Sequence, residues 1–175
     1  MTTTKKIIVR LACATVLGTA GVALTQVNIP QTAVVNAATT SVAARALGVD
    51  VASYQNADLS SHAQAGAQFA IVKVSEGTSY RNPKASSQIS TALSNNMMPM
   101  AYHFATFSSN ASAAAAEANY AVQAAQAFGL PKGSYIACDY ETGSGNNIYG
   151  GKTPTANAII AFMDTIKNAG YKPLL

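Results

Sequence analysis

Short apolar runs alternate along the chain with longer segments of helical character. The runs are rich in aliphatic and aromatic residues, which favours β-strands, and they cover residues 48–52, 69–74, 98–105, 134–139 and 171–175. Between them the sequence predicts four helices, over residues 59–66, 83–96, 110–128 and 155–169. Strands that alternate with helices form parallel sheets with crossover connections. The pattern therefore predicts an α/β fold on about five parallel strands.

Residues typical of helix ends support these boundaries. Asn82-Pro83 is predicted to supply an N-cap and a first-turn proline, and Thr153-Pro154 repeats the device. Gly129 is predicted to end the alanine-rich helix that begins near Asn110.

Acidic residues stand at or near the ends of three predicted strands. Asp50 lies in the first strand, Glu76 follows the second, and Asp139 and Glu141 end the fourth. Parallel α/β folds carry their active sites at the carboxyl ends of the strands, so these acids are expected at one edge of the sheet. On an extended strand Asp139 and Glu141 would share a face, with Cα atoms about 6.6 Å apart. Retaining glycosidases use carboxyl groups about 5–5.5 Å apart, and the pair therefore indicates glycoside hydrolysis.

Side-chain alternation leaves two assignments open. Lys73 opposes the valines on either side of it, so it faces the cleft if those valines pack against helices. Glu76 would then face away unless the strand ends before it. On the third strand either Tyr102 and Phe104 or His103 faces the cleft. Tyr102 offers a sugar both a ring face and a hydroxyl, whereas His103 is also typical of a hydrogen-bonded structural residue.

Four sequence blocks carry these residues in a fixed order. They are GVDVASYQ at residues 48–55, FAIVKVSEGT at 69–78, MAYHFA at 100–105 and DYE at 139–141. Together they resemble glycoside hydrolase family 25, the secreted and phage lysozymes that cut bacterial peptidoglycan. The resemblance implies a partial (β/α) barrel. Since the family closes a barrel of eight strands, the chain is expected to be truncated after its fifth.

The resemblance also implies a mechanism and roles for single residues. It implies an N-acetylmuramidase that hydrolyses the β-1,4 bond of peptidoglycan without metal or organic cofactor, by retention with assistance from the substrate's N-acetyl group. Glu141 would be the general acid, Asp139 would orient the N-acetyl group, and Asp50 would complete the acidic floor. The candidate substrate-binding residues, all in the second and third blocks, are Tyr102, Lys73, Glu76 and His103.

Two other functions stay open. The chain is also interpreted as a catalytically silent remnant that at most binds cell-wall glycan, because an open sheet with an unpaired fifth strand would be unstable. A chitinase-like barrel glycosidase also uses strand-end D-x-E carboxylates, although the block at residues 48–55 argues against it.

The start of the chain differs from the rest. Three basic residues precede an apolar stretch at residues 11–24, and Val35-Asn36-Ala37 has the small-x-small pattern of a signal-peptidase site. The protein is therefore expected to be secreted, extracellular or cell-wall associated, with no membrane partner after processing. The predicted segments are a signal peptide over 1–37, a flexible lead over 38–46 and the catalytic region over 47–175.

Processing changes the charge and cysteine content. The whole chain has eleven Lys and Arg against seven Asp and Glu, a net charge of +4. Three of the basic residues lie in the predicted signal peptide, which leaves eight against seven and gives no support for a nucleic-acid partner. Of the two cysteines only Cys138 would remain, so a disulfide within the mature chain is excluded. Cys138 is predicted to be a structural residue that faces the helices.

We expect protein recovered from a culture medium to begin at Ala38 or within a few residues of it, because signal peptidase cleaves after small residues. N-terminal sequencing or intact mass measurement checks this. An Ala37→Arg variant should be cleaved poorly, and intact Met1 on exported wild-type protein would contradict the assignment.

Overall fold

The structure, a computed structural model, describes residues 41–143 and 145–175, so the predicted signal peptide lies outside the described residues. Within this part of the chain six strands alternate with four helices. The strands are β1 (Gly48–Val51), β2 (Phe69–Glu76), β3 (Tyr80–Arg81), β4 (Met98–Phe104), β5 (Tyr135–Asp139) and β6 (Lys172–Leu174). The helices are α1 (Ser60–Gln64), α2 (Ala85–Ser94), α3 (Ala111–Ala127) and α4 (Lys152–Asn168).

Five of the strands form a parallel sheet in the order β1-β2-β4-β5-β6. A helix follows each of the first four strands in this order before the chain enters the next. The predicted α/β alternation, the parallel sheet and the four helices are thus confirmed. Closure of this sheet into part of a barrel stays a prediction.

The carboxyl end of β2 differs from the prediction. The strand continues to Glu76 and turns into the short antiparallel strand β3, which the sequence analysis missed. Its pairing with β4 shifts between Lys73 and Ser75, so β2 carries a bulge of one residue. A bulge reverses the side-chain alternation beyond it. Lys73 and Glu76 therefore point to the same side of the sheet, which resolves the alternative left open by the sequence.

The hydrophobic core lies between the sheet and its helices. Val72 of β2 and Ile136 of β5 are fully buried. Helix α3 buries mainly alanines, which let it approach the sheet and α4 closely. Phe162 of α4 is also fully buried, with its ring centroid 5.4 Å from that of His103 and 5.9 Å from that of Phe107. This aromatic contact joins α4 to the sheet.

Cys138 has the orientation that the sequence predicted. Its side chain is buried among the core residues, out of phase with Asp139 on the same strand. Burial raises the pKa of the Cys138 thiol to about 12, and the negative charges of Asp139 and Glu117 act in the same direction. A thiol that stays protonated at neutral pH is a poor nucleophile, so Cys138 is a packing residue.

The ends of helix α3 follow the sequence. The Asn110 side-chain oxygen accepts the backbone N–H of Ala113 at 3.0 Å, as an N-cap residue does. Beyond the other end Gly129 has a φ of +82°, a left-handed conformation in which glycine avoids the cost that a side chain imposes.

The two proline-marked helix starts were placed wrongly. Helix α2 begins at Ala85 with Lys84 as its N-cap, and Asn82 instead accepts the Lys84 backbone N–H at 3.0 Å in the turn before the helix. Helix α4 begins at Lys152, so Thr153 lies inside the first turn. The N-cap there is Gly151, with no side-chain cap. In both cases the proline fits the first turn or the turn before it, but the neighbouring polar residue does not cap the helix.

The predicted lead is described from residue 41 onwards, where it forms a turn without helix or strand. None of the helices within residues 41–143 and 145–175 has the length and apolar character needed to cross a membrane.

We expect Phe162→Ala to lower the free energy of unfolding by about 3–5 kcal/mol, because it leaves a cavity where α4 packs against the sheet. Ile160→Ala is the matched control, since Ile160 lies on the same helix with 54% of its surface exposed. The control should stay within about 0.5 kcal/mol of wild type in urea denaturation. Equal effects of the two substitutions would contradict the described core.

Candidate active site

An acidic cleft of about 680 Å³ opens at the carboxyl ends of the parallel strands. Four of the chain's seven acidic residues line it, and Lys73 is the one basic residue among the described lining residues. The four acids are Asp50, Glu76, Asp139 and Glu141. They meet at the edge of the sheet where the sequence predicted them.

A second cavity of about 490 Å³ shares four lining residues with the cleft. The shared residues are Asp50, Tyr102, Asp139 and Glu141. The acidic group therefore lies where the two cavities adjoin.

Asp139 is the last residue of β5 and is held by the sheet. Its backbone pairs with Phe104 of β4, and its carbonyl accepts the Ala105 N–H at 3.0 Å. Partial burial raises the pKa of the Asp139 carboxyl, and the charges of Glu141 and Asp50 raise it further against the opposing effects of Lys73 and His103. Like charges crowded in a half-buried site disfavour full ionisation. Asp139 is thus primed to accept a proton or a positive charge.

Asp50 stands on the neighbouring part of the cleft floor. It lies in β1, opposite Ile71 of β2, and its side chain is open to the cleft. Partial removal from water raises the pKa of its carboxyl as well. Partial burial thus disfavours the ionised forms of two acids on different strands.

Glu141 is not on the strand, contrary to the expectation that it shares an extended face with Asp139. Strand β5 ends at Asp139, and Glu141 follows two residues later at the start of the glycine-rich loop. Its side chain is exposed and lines both cavities. The Cα separation expected for Asp139 and Glu141 on an extended strand therefore does not apply. The loop after β5 must set the position of Glu141.

Lys73 and Glu76 form an ion pair on the cleft wall, with the lysine Nζ 2.6 Å from the Glu76 Oε2. The same ammonium lies 4.8 Å from the ring centroid of Phe104 and 5.5 Å from that of Tyr80. Both contacts are in the range of cation–π attraction. The bulge in β2 makes this pairing possible, because it places both side chains on the cleft side.

Tyr102 is the residue of β4 that the structure brings to the cleft. It is half-buried between Asp50 and Asp139 in the lining. Burial, and then the nearby charges of Asp50 and Asp139, raise the pKa of its hydroxyl far above the ordinary 10. The hydroxyl therefore stays protonated and can donate a hydrogen bond at any physiological pH.

The structure does not bring His103 to the cleft. Its side chain is fully buried on the helix side of the sheet, with Nδ1 2.9 Å from the Ser75 Oγ and Nε2 2.9 Å from the Glu117 Oε2. Both ring nitrogens are engaged, so the expectation that His103 contacts substrate is corrected. The alternation of β4 forces this outcome once Tyr102 faces the cleft.

Glu117 extends the buried network from the sheet to helix α3. One carboxylate oxygen accepts the Thr106 N–H at 2.9 Å and the other accepts the Thr106 hydroxyl at 2.6 Å. Burial acts to raise the pKa of Glu117, but hydrogen bonds from His103 and Thr106 outweigh it and hold the pKa below the ordinary 4.5. The network thus fixes the loop that follows β4.

Sequence reasoning missed several cleft residues. They are aromatic or polar side chains from the loop after β1 and from β3, namely Tyr54, Gln55 and Tyr80. Tyr54 is 93% exposed, which is unusual for an aromatic ring and could not be read from the sequence. Phe104, which the sequence predicts on the same strand face as Tyr102, lines the cleft with it. Among the described His, Cys, Asp and Glu side chains, no three come together as a metal site.

Comparison with known proteins identifies the family. Residues 49–175 match the profile of glycosyl hydrolases family 25, and the chain belongs to that family. It is 40% identical over 128 residues to a lysozyme of Lactococcus phage mv1, a match that covers 72% of this chain and 62% of the relative.

Two solved structures have the same fold over most of this chain. The modular Cpl-1 endolysin of phage Cp-1, solved with a peptidoglycan analogue, is similar with a TM-score of 0.57 and 32% identity over 71% of this chain and 34% of the endolysin. A bacterial lysozyme from Streptomyces coelicolor has a TM-score of 0.57 and 29% identity, over 73% of this chain and 60% of that lysozyme. The chain thus spans 62% of the phage mv1 lysozyme's length and about a third of the endolysin's.

We expect Glu117→Gln to destabilise the protein at neutral pH by about 1–3 kcal/mol, because an amide cannot replace a carboxylate that accepts three hydrogen bonds. Since the folded-state pKa of Glu117 is depressed, its ionised form adds stability above pH 4.5, and this is lost as the pH falls through the lower folded value. The difference between wild type and variant should therefore shrink as the pH falls below 4.5.

Urea denaturation at several pH values measures this difference. Asp164→Asn, a change of the same chemistry at an exposed position of α4, is the control and should have little effect at any of them. A Glu117→Gln deficit that stays constant with pH would contradict the assigned network.

Proposed function

We propose that the protein is a secreted lysozyme, an N-acetylmuramidase that hydrolyses the β-1,4 glycosidic bond of bacterial peptidoglycan. The observation that carries this proposal is the cleft in which Asp50, Asp139 and Glu141 meet at the strand ends of a family 25 fold. The names of the relatives support it, since the phage mv1 protein is a lysozyme and the Cpl-1 endolysin was solved with a peptidoglycan analogue.

Glu141 acts as the general acid in this proposal. It gives its proton to the glycosidic oxygen while the carbonyl oxygen of the substrate's N-acetyl group attacks the anomeric carbon and the glycosidic bond breaks. Water then attacks the same carbon, the bond from that carbon to the N-acetyl oxygen breaks, and Glu141, now a carboxylate, takes a proton from the water. The product keeps the original configuration because the anomeric carbon is inverted twice. The exposed position of Glu141 suits this cycle, because its carboxyl can exchange protons with solvent.

Asp139 orients the N-acetyl group and stabilises the charge that develops on it. The carbonyl attack leaves positive charge on the ring that includes the amide N–H, and a carboxylate beside that N–H interacts with it more strongly in the transition state than before. The raised pKa of Asp139 supports this role, because burial and the charges of Glu141 and Asp50 disfavour its ionised form, and positive charge beside it would relieve that cost. Asp50 adds a second negative charge to the same floor.

The remaining cleft residues bind the glycan. Tyr102 offers its ring and a hydroxyl that stays protonated, which suits neutral sugars. Lys73 and Glu76 form a fixed pair that presents polar atoms to a sugar hydroxyl without adding net charge. His103 has no part in binding, since it is buried on the other face of the sheet.

The proposed segments are a signal peptide over residues 1–37, a lead over 38–46 and a catalytic region over 47–175, with the protein acting outside the cell on peptidoglycan. The silent-remnant alternative is not favoured, because the cleft holds the acids that the chemistry needs. The chitinase-like alternative is argued against by the family match. Dye release from purified cell walls, run beside a chitin substrate, separates these functions, since a muramidase acts on the first alone.

We expect Glu141→Gln to lower kcat on cell walls by about 10²–10⁴-fold, because an amide has no acidic proton to donate. Asp139→Asn should lower it severely as well, since an amide cannot balance the positive charge. Asp164→Asn and Cys138→Ser are the controls and should retain turnover, the second with some loss of stability.

Reducing-end release from purified peptidoglycan measures all four variants. Loss of turnover in a folded Cys138→Ser protein, or wild-type turnover in Glu141→Gln, would overturn the glycosidase assignment.

A further inference from the structure

Glu141 lies beyond the strand that fixes Asp139, and something other than the sheet must hold it. We infer that Asn146 is the residue that positions Glu141 in the cleft, by clamping the backbone of the loop after β5. This inference rests on the proposed function for the rate effects it predicts, but the clamp itself is a feature of the structure.

Asn146 is buried, with 6% of its surface exposed, although its neighbours in the loop are exposed. Its side-chain nitrogen donates to the Glu141 carbonyl at 2.8 Å, and its side-chain oxygen accepts the Ser108 N–H at 2.8 Å. Its backbone N–H donates to the Gly143 carbonyl at 2.7 Å. One side chain thus ties the Glu141 backbone to the loop before helix α3.

Ser108 is the anchor on the other side. It has a φ of +54°, which is uncommon for a residue other than glycine and turns its polar groups towards the β5–α4 loop. Its carbonyl accepts the Tyr140 hydroxyl at 2.8 Å, and its hydroxyl accepts the Asn147 N–H at 2.8 Å. With the Asn146 contact, three groups of Ser108 hold the segment that contains Glu141.

The rest of the loop gives Glu141 little support. Gly143 has a φ of +142°, and a Cβ there would lie 3.2 Å from the ring of Phe104. The backbone can therefore pass close to the cleft wall, but glycine also leaves it free to adopt many conformations. The hydrogen bonds of Asn146 remove that freedom at Glu141. In enzymes, a reacting group misplaced by about 1 Å loses up to about 10²-fold in rate.

Asn146→Ala and Asn146→Asp test the inference on the full chain. The alanine variant removes both side-chain bonds, whereas the aspartate keeps an acceptor for the Ser108 N–H and loses the donor to the Glu141 carbonyl. The matched control is Asn147→Ala, one residue along the same loop. The Asn147 side chain is exposed and accepts the Tyr149 N–H at 2.9 Å, and within residues 41–143 and 145–175 it makes no hydrogen bond to Glu141.

Two readouts distinguish positioning from general destabilisation. On solubilised peptidoglycan strands both Asn146 variants should lower kcat by about 10–100-fold with KM within about twofold, because ground-state contacts with the glycan are kept. In ¹⁵N relaxation, the Glu141 amide should lose order, with its order parameter falling below about 0.6. The Ser108 amide should exchange faster with solvent in the alanine variant. Asn147→Ala should match wild type in each measurement.

Unchanged kcat in a folded Asn146→Ala protein, or a fall in kcat matched by Asn147→Ala, would overturn the inference. If the wild-type chain has no activity on peptidoglycan, the proposed function fails, and the NMR measurements decide the clamp alone: an ordered Glu141 amide in both Asn146 variants would overturn it. If the alanine variant does not fold, the same measurements on Asn146→Asp decide.

Discussion

The buried hydrogen bonds of His103 join the parts of the molecule on which the cleft depends. The ring contacts Ser75 at the bulge of β2 and Glu117 on helix α3, and Glu117 in turn holds the Thr106 segment after β4. A buried network of this kind stabilises only when every member is satisfied, because an unpaired polar group in the core costs free energy. Here each described polar atom of the histidine and the carboxylate has a partner. The network therefore fixes the bulge and, through it, the faces of Lys73 and Glu76.

The acidic cleft adds an opposing energetic term. Burial raises the pKa values of Asp50 and Asp139 near the ends of β1 and β5, and the charges of Glu141 and Asp50 raise that of Asp139 further. Such a cluster destabilises the folded state at neutral pH relative to the same acids in the unfolded chain. The strands and the buried network must offset that cost. In the proposed function, the same electrostatic cost would make the site receptive to the positive charge of a glycosyl transition state.

The sequence predicted the larger elements well, because their signals are local. Apolar runs and intervening helices set the α/β alternation, and parallel strands bring their carboxyl ends to one edge regardless of detail. This rule also predicted that the acids at the strand ends would lie together at that edge. What could not be predicted depends on single residues in three dimensions. The bulge in β2 places Glu76 beside Lys73, and nothing in the period-two pattern marks it.

The wrong predictions for His103 and Glu141 also arose because their positions depend on contacts in three dimensions. Alternation along β4 allowed either His103 or Tyr102 to face the cleft, and only the burial of Ser75 and Glu117 as partners decides between them. Glu141 was assigned to a strand face because it lies two residues from Asp139, but pairing with β4 stops at Asp139. The end of a strand is set by the partner strand and is not encoded in the two residues themselves.

The two proposed catalytic carboxyl groups are consequently held in different ways, and the difference suits their proposed roles. Asp139 is fixed by the backbone ladder of the sheet, which is appropriate for a group that stabilises charge without moving protons. Glu141 stands on a loop at the mouth of the cleft, where its carboxyl is open to solvent and can exchange its proton with water between catalytic cycles. An acid on a rigid, buried strand would have to exchange its proton through protein. An acid on an unrestrained loop would lose its alignment with the glycosidic oxygen. Clamping the loop backbone while leaving the carboxyl exposed meets both requirements, because it restricts the main chain of Glu141 without removing its side chain from water.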